Sequence, residues 1–595
     1  MAACLAVPAV LTLALPSDVL AAGARHSIAV SPSAPGDIPG GAPNAGLKDA
    51  ARFVWQQFIA LTWPAAEQTA KMNSRGFPAL EKVYGDPDYA GPLVWETFRS
   101  KSETFPGIGE PHGHDRGFAA DYGFDAAPKY IFAPDQIGSY PGLEPGMVPA
   151  CDAAAQDTPT PWIDLSESHE AGPEDIFAGI IPPGEANERR FLYAVELNRN
   201  YYRTIAANGW YDGGNPGSTI PSDATEKYIH AEHRSPPWNA DDYTILPPGT
   251  LEVKGAWRRL TDKEAASGRF YQGRVRYYLN QDPAASYRGV KGDAQKYCYA
   301  NGRFGLVGLH IKIRTVSAPY NVWATFEQAD NLLSPEGAVV EDDDGALVLQ
   351  RDVTPFDPKI VSRNAQRAVP PTPESLQKLS PATADSDPGQ RVFFQNPPNT
   401  PTTQGIISVN LRQHPIADPI VEINGEAHRA LAAYAQQRGL PPSPWAHYKL
   451  VGVQWRPADK PVPGQDLLDD PTNPNEVLRH ADIYYLANIV IETSHRLQFW
   501  SGHVQRALPP PNENIPVDNL ITDFHPNGDE VKNVQFDAEK PDGKLYGYNM
   551  GGCMGCHGQM QRHGYDFSFV LRRGRVLFPE VGESRRLTMR QMVFE

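Results

Sequence analysis

Leu306-Val307-Gly308-Leu309-His310-Ile311-Lys312-Ile313-Arg314 is the stretch whose reading decides the fold. Side chains alternate across a strand with period two. Val307, Leu309, Ile311 and Ile313 therefore fall on one face, and His310, Lys312 and Arg314 on the other. The first face is built for a core. The second reads either as solvated sheet surface, the simpler expectation, or as an anion-binding surface.

The same style recurs on both sides. Leu251-Glu252-Val253-Lys254 and Arg274-Val275-Arg276-Tyr277 alternate, and Lys449 to Arg456 repeats the pattern with Val451, Val453 and Trp455. Together they predict an antiparallel sheet or sandwich. Leu47 to Trp63 reads as a helix stopped by Pro64, with Phe53, Gln57 and Ala60 interleaved with Trp55, Phe58 and Ile59. Residues 475–507 form the longest helical pattern, with Ile483, Leu486, Val490, Leu497, Trp500 and Val504 on one side and Pro509-Pro510-Pro511 after it. The chain carries 58 prolines against 51 glycines, which argues against a helical bundle. The expected class is α+β: a large strand-rich body over residues 46–474 with helices at both ends, then a helical C-terminal segment, 475–595. Residues 25–45 read as a flexible leader, 76–190 as loops over a core, and 370–401, with eight prolines, as an extended excursion. Val94-Trp95-Glu96-Thr97-Phe98 echoes Val322-Trp323-Ala324-Thr325-Phe326 without any repeat period.

The 595 residues are 41% hydrophobic and 10% aromatic, enough for large cores. Fifty-four basic residues against 70 acidic ones give a net charge of −16. An acidic chain with no basic block is a poor nucleic-acid binder. Downstream of the N-terminus no run of 18 apolar residues exists, so no transmembrane span is expected. Leu5 to Leu15 has the length of a signal-peptide core and is followed by Val19-Leu20-Ala21, a small-residue cleavage pattern. No Lys or Arg precedes Arg25. Residues 1–24 are thus expected to be a truncated signal peptide, and the mature chain periplasmic. The alternative, a buried helix, is opposed by Pro8 and Pro16.

The five cysteines are Cys4, Cys151, Cys298, Cys553 and Cys556. A disulfide between Cys151 and Cys298 is expected in an oxidising compartment; the alternative is two buried thiols. Cys553-Met554-Gly555-Cys556-His557 has the pattern of a c-type haem attachment site. Two thiols three positions apart on a tight turn can each form a thioether to one haem vinyl group, and the adjacent histidine then lies under the iron. Gly551, Gly552 and Gly555 let backbone approach the macrocycle. Composition alone yields this pattern in about one such chain per thousand. A zinc site would need two further ligands at matching spacing, and a redox dithiol would want a βαβ context. The site residues are therefore Cys553 and Cys556 as thioethers and His557 as proximal iron ligand of one covalent haem c. For the distal position, Met589 or Met592 are the downstream methionines, with core filling the competing role for each. Met550, Met560 and His563 lie too near the motif to cross the haem, whereas His495 and His503 could approach from the preceding helix. With haem in view, His310, Lys312 and Arg314 could also meet propionates. His230 with His233, and His112 with His114, have spacings found in metal sites but sit in loop-like contexts.

Several segments together resemble a bacterial family labelled "cytochrome c family protein": Phe53 to Pro64, Val94 to Phe98, Gly308 to Ile311, Val322 to Asn331, and Cys553 to His557. The resemblance spans roughly residues 50–570 in patches. It implies an exported protein with one C-terminal haem c and names no substrate. Ile313 and Gln328 stand where the family's pattern leads one to expect histidines. The expected role is redox, as electron transfer to a partner protein or as an oxidoreductase acting on a small molecule. No catalytic base or second cofactor is identifiable. The alternative is a ligand-binding or sensing module in which haem c senses gas or serves structure.

Overall fold

The computed structural model describes residues 27–68, 74–112, 140–152, 160–167, 178–181, 191–211, 246–280, 297–318, 320–333, 337–348 and 416–455. It also describes the shorter runs 124, 128–132, 137, 393–396, 406–409, 490, 553–554, 557, 566–571 and 579.

The alternating stretch is the second half of the longest strand, β7. In chain order the strands are β1 (Arg99–Ser100), β2 (Ile163–Leu165), β3 (Ile180–Ile181), β4 (Leu192–Leu197), β5 (Leu251–Arg258), β6 (Gln272–Asn280), β7 (Tyr297–Ile313), β8 (Val322–Gln328), β9 (Phe393–Asn396), β10 (Ile406–Val409) and β11 (Tyr448–Gln454). The helices are α1 (Leu47–Leu61), α2 (Lys101–Thr104), α3 (Arg199–Asn208), α4 (Asp262–Ala266) and α5 (Asp418–Gln437).

Most described strands form one sheet, in the order β1-β4-β5-β7-β6-β2, with β8 paired to β7 and β11 paired to β8. Glu167, just past β2, bridges back to Tyr193 of β4, so the sheet curls into a nearly closed barrel. Curling also hides strand edges that would otherwise invite pairing. The antiparallel expectation holds with one exception, since β2 runs parallel to β6. The alternative of a sandwich is corrected: the twist of the long strand carries its two halves to different neighbours, β6 for the first and β5 and β8 for the second. A separate sheet pairs β3, β10 and β9, and β9 falls within the proline-rich stretch.

The apolar side of β7 behaves as its pattern requires. Val307, Leu309, Ile311 and Ile313 are buried, and the last three join the main core with Trp55, Phe58, Trp257 and Phe326. Helix α1 supplies the cover. The Asp49 carboxylate accepts from Gly46 N–H at 3.3 Å at its start, and Thr62 Oγ1 donates to the Phe58 carbonyl at 2.7 Å at its end. Its Phe58 ring stacks on Phe326 of β8 at 4.3 Å. Helix α5, absent from the sequence expectations, packs beside α1. Asn424 locks the two together: its Oδ1 accepts from Trp55 Nε1 at 2.8 Å and its Nδ2 donates to the Leu450 carbonyl of β11 at 2.9 Å. Residues 27–45, expected as a leader, are packed where described: Ile38, Ala42 and Ala45 are buried, and Ala42 N–H donates to Ser317 Oγ at 2.7 Å.

Cys151 and Cys298 form a disulfide across 147 residues. In the chain-entropy picture such a loop is worth about 5 kcal/mol. The helical pattern at 475–507 lies outside the described residues apart from Val490, as do residues 1–24. In the C-terminal segment, the described residues include a short 3-10 turn, Phe569–Leu571.

Candidate functional site

In an antiparallel ladder, residues directly opposite one another project to the same face. Lys254 lies opposite His310, Glu252 opposite Lys312, His310 opposite Thr325, Lys312 opposite Trp323, and Trp323 opposite Gln454. One polar face thus runs across β5, β7, β8 and β11.

That face is covered, which overturns the solvated reading. Lys312 and Arg314 are 5% and 1% exposed. The described C-terminal residues lie over them. Met554, fully buried, donates its backbone N–H to Gln454 Oε1 at 2.9 Å. Cys553 Sγ lies 3.9 Å from His310 Nε2. The His557 ring sits 4.3 Å from the Trp323 ring and meets Phe569 edge-on at 4.9 Å. Arg314 pairs with Asp566 at 2.5 Å, both side chains 1% exposed, and Asp566 also accepts from Leu246 N–H at 2.8 Å. Tyr201 OH meets Ser568 Oγ at 2.6 Å, and Ser568 Oγ donates to Glu252 at 3.2 Å.

The centre of this arrangement is a backbone carbonyl. Phe567 O lies 2.8 Å from His557 Nδ1 and 3.1 Å from Lys312 Nζ. A carbonyl only accepts, so His557 carries its proton on Nδ1 and presents the lone pair on Nε2. Burial, then the nearby Lys312 charge, holds the His557 imidazole well below its ordinary range and keeps it neutral. Asp566 and Phe567 have φ of 43° and 58°, a left-handed pair of non-glycine residues. Such conformations cost about 1–3 kcal/mol each and persist only when surroundings over-determine them. Here the Arg314 pair and the shared carbonyl do so.

His310 is likewise pushed down, to about 3, by burial and then by Lys254 and Lys312, and so is neutral. Charge on the face is balanced locally, because Lys312 lies 3.4 Å from Glu252 and Arg314 contacts Asp566. Removing one partner of such a buried pair is costly, because it leaves the other charge uncompensated.

Cys553 and His557 are the described residues that a c-type haem would engage. A histidine whose Nδ1–H is committed to a carbonyl is the arrangement by which proteins orient a metal-ligating imidazole. Cys553 could hold one vinyl group, and the group would supply one-electron exchange at iron. Cys556 lies outside the described residues, as do Met589, Met592, Met550, Met560, His563, His495, His503, His230, His233 and His114. Among the described residues no cluster of three or more His, Cys, Asp or Glu could hold a bare metal ion. His112 contributes its carbonyl to Arg99 at 2.7 Å. Ile313 points to the core, and Gln328 closes β8 by accepting the Asp330 N–H. No helix of the described residues is long and apolar enough to cross a membrane.

Sequence reasoning missed Trp323, Gln454, Glu252, Asp566 and Phe567 as parts of the site. No local signal marks them, because they meet His557 only through the register of four strands and a carbonyl ten residues downstream. Comparison of the chain with protein-family models, with curated proteins and with solved structures found no match.

Proposed function

We propose that the chain is an exported monohaem c-type protein with a redox role, as a member of the bacterial cytochrome c family it resembles. Cys553 and Cys556 carry the thioethers, His557 ligates the iron, and the C-terminal segment is the helical haem-bearing part laid on a barrel wall. The observation that carries the reading is His557 itself. It follows the CxxC spacing, it is neutral, and its Nδ1–H is fixed on Phe567 O at 2.8 Å so that Nε2 is left to bind iron. The Cys151–Cys298 disulfide supports a periplasmic location, since such bridges persist in oxidising compartments. Met589 or Met592 supplies the sixth ligand in this reading. The body of more than 400 residues before the motif favours an oxidoreductase over a simple carrier, which needs about 100 residues.

The test is production in a host with haem-attachment machinery. Colour should follow the polypeptide through denaturing electrophoresis, and its mass should exceed that of bare chain by one haem. Cys553→Ala combined with Cys556→Ala should abolish both. A correctly exported, colourless wild-type protein sinks the proposal. Carbon monoxide then sorts the role: a ferrous spectrum that ignores it indicates electron transfer, and one that responds indicates catalysis or sensing.

A further inference from the structure

The Phe567 carbonyl accepts from two donors at once, His557 Nδ1 at 2.8 Å and Lys312 Nζ at 3.1 Å. A carbonyl oxygen has two lone pairs, so both bonds form. They are not independent. Each donor draws electron density from the oxygen and weakens it as an acceptor for the other, and an ammonium donor does so more strongly than a neutral N–H. How strongly Nδ1–H is held sets the basicity of the imidazole, and with it the balance between oxidation states of a bound metal.

We propose that Lys312 is a positioning residue that sets the reduction potential of the haem iron, by competing with His557 for the Phe567 carbonyl. The inference rests on the haem reading above. Lys312 is well placed for such a duty. It comes from a central strand of the barrel wall, is held laterally between Glu252 at 3.4 Å and the Trp323 ring at 5.2 Å, and is 5% exposed. Its target is fixed too, because the Arg314–Asp566 pair pins the residue beside Phe567. The sign follows. With Lys312 present the carbonyl is partly occupied, the imidazole stays less basic, and the ferrous state is favoured. The positive charge acts in the same direction.

The experiment is a redox titration of the holoprotein, wild type beside Lys312→Met/Glu252→Gln and Lys312→Arg. The double variant removes the competing donor while leaving the net charge of the patch unchanged, and it strands no buried carboxylate. Its one-electron equilibrium should move about tenfold toward the ferric state, a midpoint lower by about 59 mV. Lys312→Arg keeps donor and charge and should stay within about twofold of the wild type. A loaded double variant with the wild-type midpoint overturns the role of Lys312 and leaves the haem reading standing. A Lys312→Arg protein that falls tenfold attributes the effect to repacking and overturns the inference as well. A wild type that never acquires covalent haem fails the earlier proposal instead.

Discussion

The two sides of β7 differ in how they hold some of their buried carboxylates. On the side covered by the C-terminal segment the buried cations are paired: Lys312 with Glu252, and Arg314, just past the end of the strand, with Asp566. On the core side, carboxylates are buried with weaker compensation. Glu96, 4% exposed, accepts among the described residues from Tyr271 OH and Leu93 N–H, each at 2.9 Å, and burial pushes it up to about 7. Glu196 has no hydrogen-bond partner on either oxygen among the described residues, and burial pushes it well above its ordinary range. Paired ions hold two segments in register; burial of unpaired carboxylates favours their protonated form. Carboxylates along the seam are thus paired, whereas the interior holds Glu96 and Glu196 without an ion-pair partner among the described residues, beside a buried Arg75–Glu103 pair at 3.0 Å.

Breaking the seam should cost most. Arg314→Met leaves Asp566 charged and dry, and should remove about 3–5 kcal/mol in urea unfolding. Adding Asp566→Leu should recover part of that, since Leu246 N–H still lacks its acceptor; no recovery would mean the ion pair is not what the single variant lost. The apolar side gives a comparable yardstick. Leu309→Ala should cost about 2–5 kcal/mol by transfer and cavity terms.

The interior carboxylates sharpen the comparison through pH. Glu96 has its folded pKa raised from 4.5 to about 7, so the folded protein binds more protons than the unfolded chain between these values. Stability is greatest below the lower value and falls as pH rises through the window, by about 3 kcal/mol in all for this group. Asp164, raised to about 6, acts in the same direction. Glu96→Gln should flatten the profile between pH 5 and 7; an unchanged slope would place the titration elsewhere. The smallest effect is expected at the edge of the seam. Gln454→Ala removes the acceptor of the buried Met554 N–H and should cost about 1–3 kcal/mol, read as loosened hydrogen exchange at Met554 before any loss of the barrel.

Part of this was legible one residue at a time. Helix α1 announces itself through an uninterrupted apolar pattern closed by Pro64, and β7 through strict alternation. Helix α5 was equally available, with Pro419 in its first turn and Ile420, Ile423, Ala427 and Leu431 buried along one stripe, yet its many polar and alanine positions blunt the contrast between faces. The Cys553-x-x-Cys556-His557 spacing on which the proposed function rests is purely local and so was legible in the sequence.

What only the tertiary structure decided is the fate of identical-looking pieces. Val94-Trp95-Glu96-Thr97-Phe98 and Val322-Trp323-Ala324-Thr325-Phe326 read almost alike, but the first centres on a 3-10 turn whose Trp95 stacks on Trp257 at 6.0 Å in the core, and the second is strand β8, whose Trp323 faces His557. Likewise the cationic face of β7 carries in its residues no mark of being covered. Alternation determines which side chains share a face; what lies against that face depends on a segment more than 240 residues away, brought there by contacts that exist only once the barrel has curled.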